Sequence, residues 1–454
     1  MRKDSVAFWN LVLDASGLRQ KPPFIGEYEK KPVRMISEKS TLRGDVLIPS
    51  SKSHTIRAVT IAGLAHGKSI IHHPLESGDG LAAARAAGMF GARIDLGGSW
   101  EVEGVGGSPH VPDNVVDVAN SGTTMNFCMG TASLAEGTTV LSGDHQTVRR
   151  SVQPLIEALN GLGAEVYSTR NNGLPPVVVR GRLQGGKTRL SGIVSQYVSS
   201  LLIHCPLIEC DSEFEVYDVH EKPYIRMTLK WLDRQGIRYE ASDDLSRFKI
   251  FGGHSYHGQE VTIPGDFSSA TFFLIAGVLC DADITLLGLD MNDVQGDKKV
   301  VACLQEMGAP IRFENGGVRV KQGALQGIEI DMADIPDALP AMAVVGCFAK
   351  GKTVLRNVAN ARLKETDRIS VMAAELGRLG ARVEELPDGM IIHESRLKGC
   401  PLRGYGDHRV VMSLSVAGLA IPGRTEVDTA EAVEVTVPNF LQLIQSLGGK
   451  MNRQ

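Results

Sequence analysis

The sequence predicts an α/β (α+β) fold built from six repeated units in two domains. Two observations carry this: a short phrase that recurs six times at nearly constant spacing, and the strand and helix patterns between its recurrences. The phrase closes a helical pattern and opens a strand: MFGARI at Gly91, GLGAEV at Gly163, RQGIRY at Gly236, EMGAPI at Gly308, RLGARV at Gly380 and SLGGKM at Gly448. Successive glycines lie 72, 73, 72, 72 and 68 residues apart. A glycine just after an amphipathic run such as SVMAAELGRLG signals a helix C-terminus, where the chain turns through a left-handed residue. The alternation that follows reads as a strand.

Residues 1–34 precede the first unit as an N-terminal extension with no readable role. MRKDSVAFWNLVLDASG begins with basic residues, but Asn10 and Asp14 interrupt its apolar stretch, which argues against a secretory signal. Each unit has an earlier strand, loop and helix, as in GDVLIPSSKSHTIRAVTIAGLAHGKSIIHH, EVTIPGDFSSATFFLIAGVLCDADITLLG and IEIDMADIPDALPAMAVVGCFAKGKTVLRN. The order is therefore strand, helix, strand, helix, strand, with room for a further strand. Such a unit is longer than common solenoid repeats and contains a βαβ group that closes on itself, so globular domains are expected. Three units per domain is the natural partition, with the boundary near Thr262 to Pro264, where IPGDFSS opens the fourth unit.

Composition excludes several classes of function. The 454 residues are 43% apolar and 22% charged, and no apolar run approaches the roughly 18 residues a membrane span needs. With 48 basic and 52 acidic side chains the net charge is -4, which lacks the basic excess of a nucleic-acid-coating surface. Any anion site must be locally concentrated. Cys128, Cys205, Cys210, Cys280, Cys303, Cys347 and Cys400 are odd in number and never CxxC, so neither a disulfide framework nor a zinc site is indicated. A reducing cytoplasm fits them.

Polar residues gather where strands give way to helices: Lys52, Ser53 and Arg57 in PSSKSHTIR, Asn120 to Thr124 in NSGTT, Ser195 and Gln196, Asp266 to Ser269, Asp337 in DIPDA, and Asp407 to Arg409 in GDHR. Helix N-termini expose unpaired N–H groups, so several facing one cleft form a phosphate-binding basin without metal. Arg150 and Arg368 fall at similar points of their units, at the start of the second helix. Lys364 and Arg368, four apart, are expected on one helical face. Like-signed basic groups in the cleft should keep the ligand-free lobes apart. Ser268 and Ser269 read as N-cap residues, and His408 as a residue orienting its loop.

At these residues the chain resembles the EPSP synthases (3-phosphoshikimate 1-carboxyvinyltransferases) of the enolpyruvyl transferase family. The matching phrases, spread between about Leu42 and Gly448, are SSKSHTIRAV, NSGTT, SQYVSSLL, EKPYIRMTL, PGDFSSATFF, DIPDALPAMAV, NARLKETDRI and YGDHRVVMSL. The resemblance implies two domains of three βαβαββ units with the active site in the interdomain cleft: residues 50–262 form the first, and residues 35–49 with 263–454 the second. It implies transfer of the enolpyruvyl group of phosphoenolpyruvate to the 5-hydroxyl of shikimate 3-phosphate, in aromatic amino-acid biosynthesis. Lys52 is then expected to contact both substrates, Ser53 and Arg57 the shikimate, and Ser195, Gln196 and Tyr224 its ring or phosphate. Asp337 is the implied base, with Asn360 and Lys364 beside it. Gly122, Arg150, Arg368 and Arg409 are expected to hold phosphoenolpyruvate, and Glu365 to move protons at its methylene carbon. Lys52, Asp337 and Glu365 form the implied catalytic set. The reaction needs no metal or other cofactor, and no nucleic acid or membrane; a cytoplasmic monomer is expected.

Some residues depart from the family's pattern. Val194 replaces a serine in the Ser-Ser-Gln phrase, Glu221 stands where some members carry serine, Asn126 follows NSGTTM, and Val435 replaces a lysine. They leave open a different hydroxyl acceptor, or a paralogue that only binds; intact Asp337 and Lys364 oppose the latter. One motif is a decoy. GCFAKGKT at Gly346–Thr353 fits the P-loop pattern but ends a helix and leads into a strand, the reverse of a P-loop's context.

Overall fold

The computed structural model describes residues 33–314 and 316–454. The expectations for the extension at 1–34 fall, apart from its last two residues, outside that range.

One unit shows how the chain builds all six. Strand Val116–Asp117 leads into helix Gly122–Ala132, strand Thr138–Ser142, helix Gln153–Gly161, and strands Glu165–Ser168 and Val177–Arg180. The first two strands pair in parallel across the helical crossover, and the last two add antiparallel, giving the sheet order first, second, fourth, third. The same order recurs in the sheets opened by Gly186–Ser191 and Glu329–Asp331. The remaining three sheets borrow strands. Glu260–Thr262, after the third unit, pairs with Lys68–His72 of the first. Thr41–Leu47 pairs with Asp281–Leu287, and Met35–Glu38 lies between Arg424–Val427 and Lys450–Arg453. Two segments therefore cross between the lobes, and they run side by side: Ser51 N–H donates to the Pro264 carbonyl at 2.8 Å and Asp266 N–H to the Pro49 carbonyl at 2.9 Å.

The six repeat glycines all have positive φ, from +67° at Gly236 to +107° at Gly91. Each lies two residues past the end of its unit's second helix, just after the C-cap, and the next residue's N–H reaches back into that helix. Ala92 donates to Ala87 at 3.1 Å, Ala309 to Leu304 at 2.9 Å and Ala381 to Leu376 at 3.0 Å, the bond that closes a Schellman motif.

Behind a polar N-terminus, the first helix of each unit is made mostly of apolar and small residues and is largely buried. All thirteen residues of Phe267–Leu279 are buried. It packs with Leu339–Phe348 and His408–Ala420 at the centre of one lobe, while Gly122–Ala132 packs with Lys52–Leu64 and Ser195–His204 in the other. The polar N-termini of these helices are thereby brought to one side of each lobe.

Three local expectations are corrected. Asp266, not Ser268 or Ser269, caps Phe267–Leu279: its carboxylate accepts from the Ser269 N–H at 3.1 Å and hydroxyl at 2.7 Å, as suits an acceptor-only side chain. Lys364 shares no helical face with Arg368, because Asp367 caps the helix that starts at Arg368 and leaves Lys364 extended. Arg150 follows a short 3-10 turn and precedes helix Gln153–Gly161 by three residues. At the P-loop phrase, helix Leu339–Phe348 ends and strand Lys352–Arg356 begins. No helix among the described residues is long and apolar enough to cross a membrane.

Candidate active site

Asp337 lies in the turn Pro336–Ala338, just before helix Leu339–Phe348. Its Oδ1 accepts from Arg368 Nη1 at 2.8 Å, with Lys364 Nζ 3.8 Å away, and its Oδ2 lies 3.1 Å from Arg409 Nη2. Burial alone would push this carboxyl up, but Arg409, Lys364 and Arg368 together hold it well below the usual carboxylate range. Arg368 is 1% exposed. Its Nε donates to Asp407 Oδ2 at 2.8 Å and its Nη2 to Glu365 Oε2 at 2.5 Å, so three carboxylates surround one guanidinium. Asp407 also caps helix His408–Ala420, which fixes Arg368 and Arg409 against the same helix N-terminus.

The other lobe supplies facing groups. Lys52 opens its helix and pairs with the buried Asp79 at 3.1 Å. Arg150 reaches over Gly122, where an added Cβ would lie 2.9 Å from Nη1, so glycine is needed for this approach. Arg150 Nη2 is 3.4 Å from Glu365 Oε1, and both Nε and Nη2 are buried without a hydrogen-bond partner. A guanidinium left with unpaired buried donors is suited to receive a carboxylate or phosphate. Glu365 is held between Arg368 and Arg150; burial would raise its pKa, but these cations keep it well below the ordinary value. His408 is pushed down to about 3, chiefly by burial, so its imidazole is neutral at neutral pH, and its Nε2 has no partner.

A second cluster converges on Glu221. Ser195 opens helix Ser195–His204, and both its hydroxyl, at 2.7 Å, and its N–H, at 3.2 Å, donate to Glu221 Oε2. From the opposite lobe Lys364 and Asn360 donate to Glu221 Oε1, Asn360 at 3.3 Å. Gln196 Nε2 donates to Thr123 at 3.0 Å and its carbonyl accepts from Asn126 at 3.1 Å. Tyr224 donates to Asp297 of the facing lobe at 2.6 Å. A cavity of about 390 Å³ adjoins these groups, lined by Arg150, Gln196, Asn360, Lys364 and Glu365 and by apolar Val194 and Tyr197.

A family model described as EPSP synthase (3-phosphoshikimate 1-carboxyvinyltransferase) matches residues 36–444. The chain belongs to the EPSP synthase family. The 3-phosphoshikimate 1-carboxyvinyltransferase of Acetivibrio thermocellus is 53% identical over 415 residues, 91% of this chain and 98% of that protein. That of Methanococcoides burtonii is 41% identical, covering 90% and 97%. Among solved structures, an EPSP synthase from Acinetobacter baumannii superposes with a TM-score of 0.79 at 26% identity, over 93% of this chain and 100% of that one. The chain is a transferase with the two-domain α/β fold of this EPSP synthase family.

Set against the residues that the EPSP synthase resemblance points to, the structure brings Lys52, Arg150, Ser195, Gln196, Tyr224, Asp337, Asn360, Lys364, Glu365, Arg368 and Arg409 around one interlobe region. Ser53 adjoins it, its carbonyl accepting from Arg57 at 3.1 Å. Arg57 is buried beside Ser53 and Tyr224. Its guanidinium lies over Phe127 and donates to Thr228, Ser199 and the carbonyls of Ser53 and Tyr224, which occupies four of its five N–H groups. Arg57 thereby links the Ser53 and Tyr224 carbonyls. Asp79 and Asp297 join the site unanticipated as buried carboxyl groups, beside Asp407 of the GDHR phrase. These carboxyl groups, with Glu221, Asp337 and Glu365, pair with the basic groups and offset part of the like-charge repulsion expected across the cleft.

Proposed function

We propose that this chain transfers the enolpyruvyl group of phosphoenolpyruvate to the 5-hydroxyl of shikimate 3-phosphate, releasing phosphate and giving 5-enolpyruvylshikimate 3-phosphate. The observation that carries the reading is the set of cations meeting on Asp337 and Glu365, in a chain of the EPSP synthase family. Bond making sets the requirements. The acceptor oxygen attacks C2 of the enolpyruvyl group while losing its proton, and the methylene carbon gains one. Phosphate then leaves as the methyl carbon returns a proton, which restores the double bond.

Asp337 serves as the base for the hydroxyl proton. Tied to Arg368 and Arg409 its carboxylate is a weak base, and both arginines are also the proposed ligands of phosphoenolpyruvate. When the donor's anionic groups draw these cations away, Asp337 is released and its proton affinity rises. Glu365 stands in the same relation to Arg368 and Arg150, so donor binding also prepares it to carry the methylene proton. Arg150, Arg368, Arg409 and Gly122 hold the donor, and Lys52 lies toward both substrates. Ser53, Arg57, Ser195, Gln196, Tyr224, Asn360 and Lys364 hold the acceptor. The working form is a cytoplasmic monomer whose domains comprise residues 50–262 and residues 35–49 with 263–454.

The test is phosphate release from phosphoenolpyruvate in the presence of shikimate 3-phosphate, compared with other hydroxyl acceptors. Release with shikimate 3-phosphate alone is expected. Release only with a different acceptor overturns the assignment of substrate, and no release with any acceptor leaves a binding protein.

A further inference from the structure

Two of the residues that depart from the family's pattern meet at one point. Val194 stands at the N-cap of helix Ser195–His204 and has no side-chain oxygen to cap it. The Glu221 carboxylate fills that role from 26 residues away, accepting from the Ser195 N–H and hydroxyl with Oε2. Its Oε1 is turned to Lys364 and Asn360 across the cleft. Glu221 is 3% exposed and sits in the left-handed region, φ +52°, an uncommon conformation for a residue with a long side chain.

A helix N-terminus, a hydroxyl, an ammonium and a carboxamide converging on one point are the donors that bind a phosphate group. Here a side chain of the protein already holds them. We propose that Glu221 determines the affinity for the acceptor in this chain, by occupying with its carboxylate the donors that the acceptor's phosphate requires. This rests on the acceptor assignment made above. Phosphate enters as the carboxylate leaves, because the two anions cannot share one set of donors without repulsion. Glu221 also ties the lobes together through Lys364, so the exchange replaces an internal ion pair by one to the ligand and keeps the cleft bridged throughout. The acceptor is thus held more weakly than its donors alone would allow.

The experiment is calorimetric titration of wild type, Glu221→Ser and Glu221→Gln with shikimate 3-phosphate and, separately, with unphosphorylated shikimate. Thermal melting confirms that each variant is folded. Glu221→Gln keeps the shape and an oxygen for the Ser195 donors, so it remains informative if Glu221→Ser fails to fold. Shikimate 3-phosphate is expected to bind at least about tenfold more tightly to the variants, as removal of a competing charge-assisted partner implies. Shikimate should gain less than about twofold on the same ground. Equal or weaker binding of shikimate 3-phosphate to folded variants overturns the inference and leaves Glu221 a helix cap. An equal gain for both ligands overturns it as well, since the competition would then not involve phosphate. No binding of shikimate 3-phosphate at millimolar concentration to any of the three proteins overturns the proposed reaction, and this inference with it.

Discussion

Arg368 Nη1 donates to Asp337 Oδ1 at 2.8 Å, tying a nearly inaccessible cation to the carboxylate proposed as the base. Asp337→Asn keeps the side chain's shape and an oxygen for Arg368 but cannot take a proton from a hydroxyl. Turnover is expected to fall by roughly 100- to 10,000-fold, while shikimate 3-phosphate binding measured by calorimetry stays close to wild type. Near-normal turnover would remove Asp337 from the chemistry.

Arg150 carries two buried N–H-bearing atoms without partners, so its replacement breaks few contacts within the protein. Arg150→Ala should raise the KM for phosphoenolpyruvate about ten- to a hundredfold, the loss of a charge-assisted pair worth roughly 1.5 to 3 kcal/mol. Steady-state kinetics with each substrate varied in turn decides it. An unchanged KM for phosphoenolpyruvate would place the donor elsewhere.

Burial pushes the Asp297 carboxyl up to about 7, with the Asp337 charge adding to the shift and Arg409 opposing it, against an ordinary 3.8. A carboxyl whose pKa is raised on folding contributes stability that is full below about pH 4 and is lost as pH rises toward 7. Asp297→Asn, which can still accept from Tyr224, removes that loss. The variant's melting temperature relative to wild type should therefore climb between pH 4 and pH 7 and level off above. A difference that stays flat with pH would show Asp297 ionised throughout.

The helix-ending glycines offer a graded test. At Gly236, φ is +67° and no atom lies within 4 Å of an added Cβ, so Gly236→Ala should cost only about 1 to 2 kcal/mol of conformational strain. At Gly163, φ is +98° and the Cβ would fall 2.7 Å from Gln184 Cγ. Gly163→Ala should cost more, and denaturant unfolding of the two variants measures the gap. Equal losses would mean that Gln184 moves aside freely.

These glycines were legible in the sequence because one backbone conformation demands one residue type, and that demand repeats with the fold. Asp337 and the arginines were legible through phrases such as DIPDA, KETDR and GDHR. The pairing of Glu221 with Lys364 was not, since the partners are 143 residues apart and meet only when the lobes do. Asp79 and Asp297 carry no spacing signal among 52 acidic residues; only burial beside Lys52 and Tyr224 distinguishes them. The partners of Arg57 were hidden for the complementary reason. Its side chain is long enough to turn toward Thr228 and Ser199, and sequence spacing does not say which way an arginine turns.

The borrowed strands have a consequence for biosynthesis. Thr41–Leu47 leaves the ribosome before its parallel partner Asp281–Leu287 exists, and Met35–Glu38 must wait for Arg424–Val427 and Lys450–Arg453. The stretch between them, closed by Glu260–Thr262 on Lys68–His72, can finish first. Arg34 and Gln454 exchange both backbone hydrogen bonds, at 2.7 and 3.0 Å, so the two ends of this region lie side by side. A circular permutant that joins Gln454 to Arg34 and opens before Pro264 would make both lobes contiguous in the chain. Its refolding should be faster than that of the natural order, because the long loop closures that delay the second lobe would be gone.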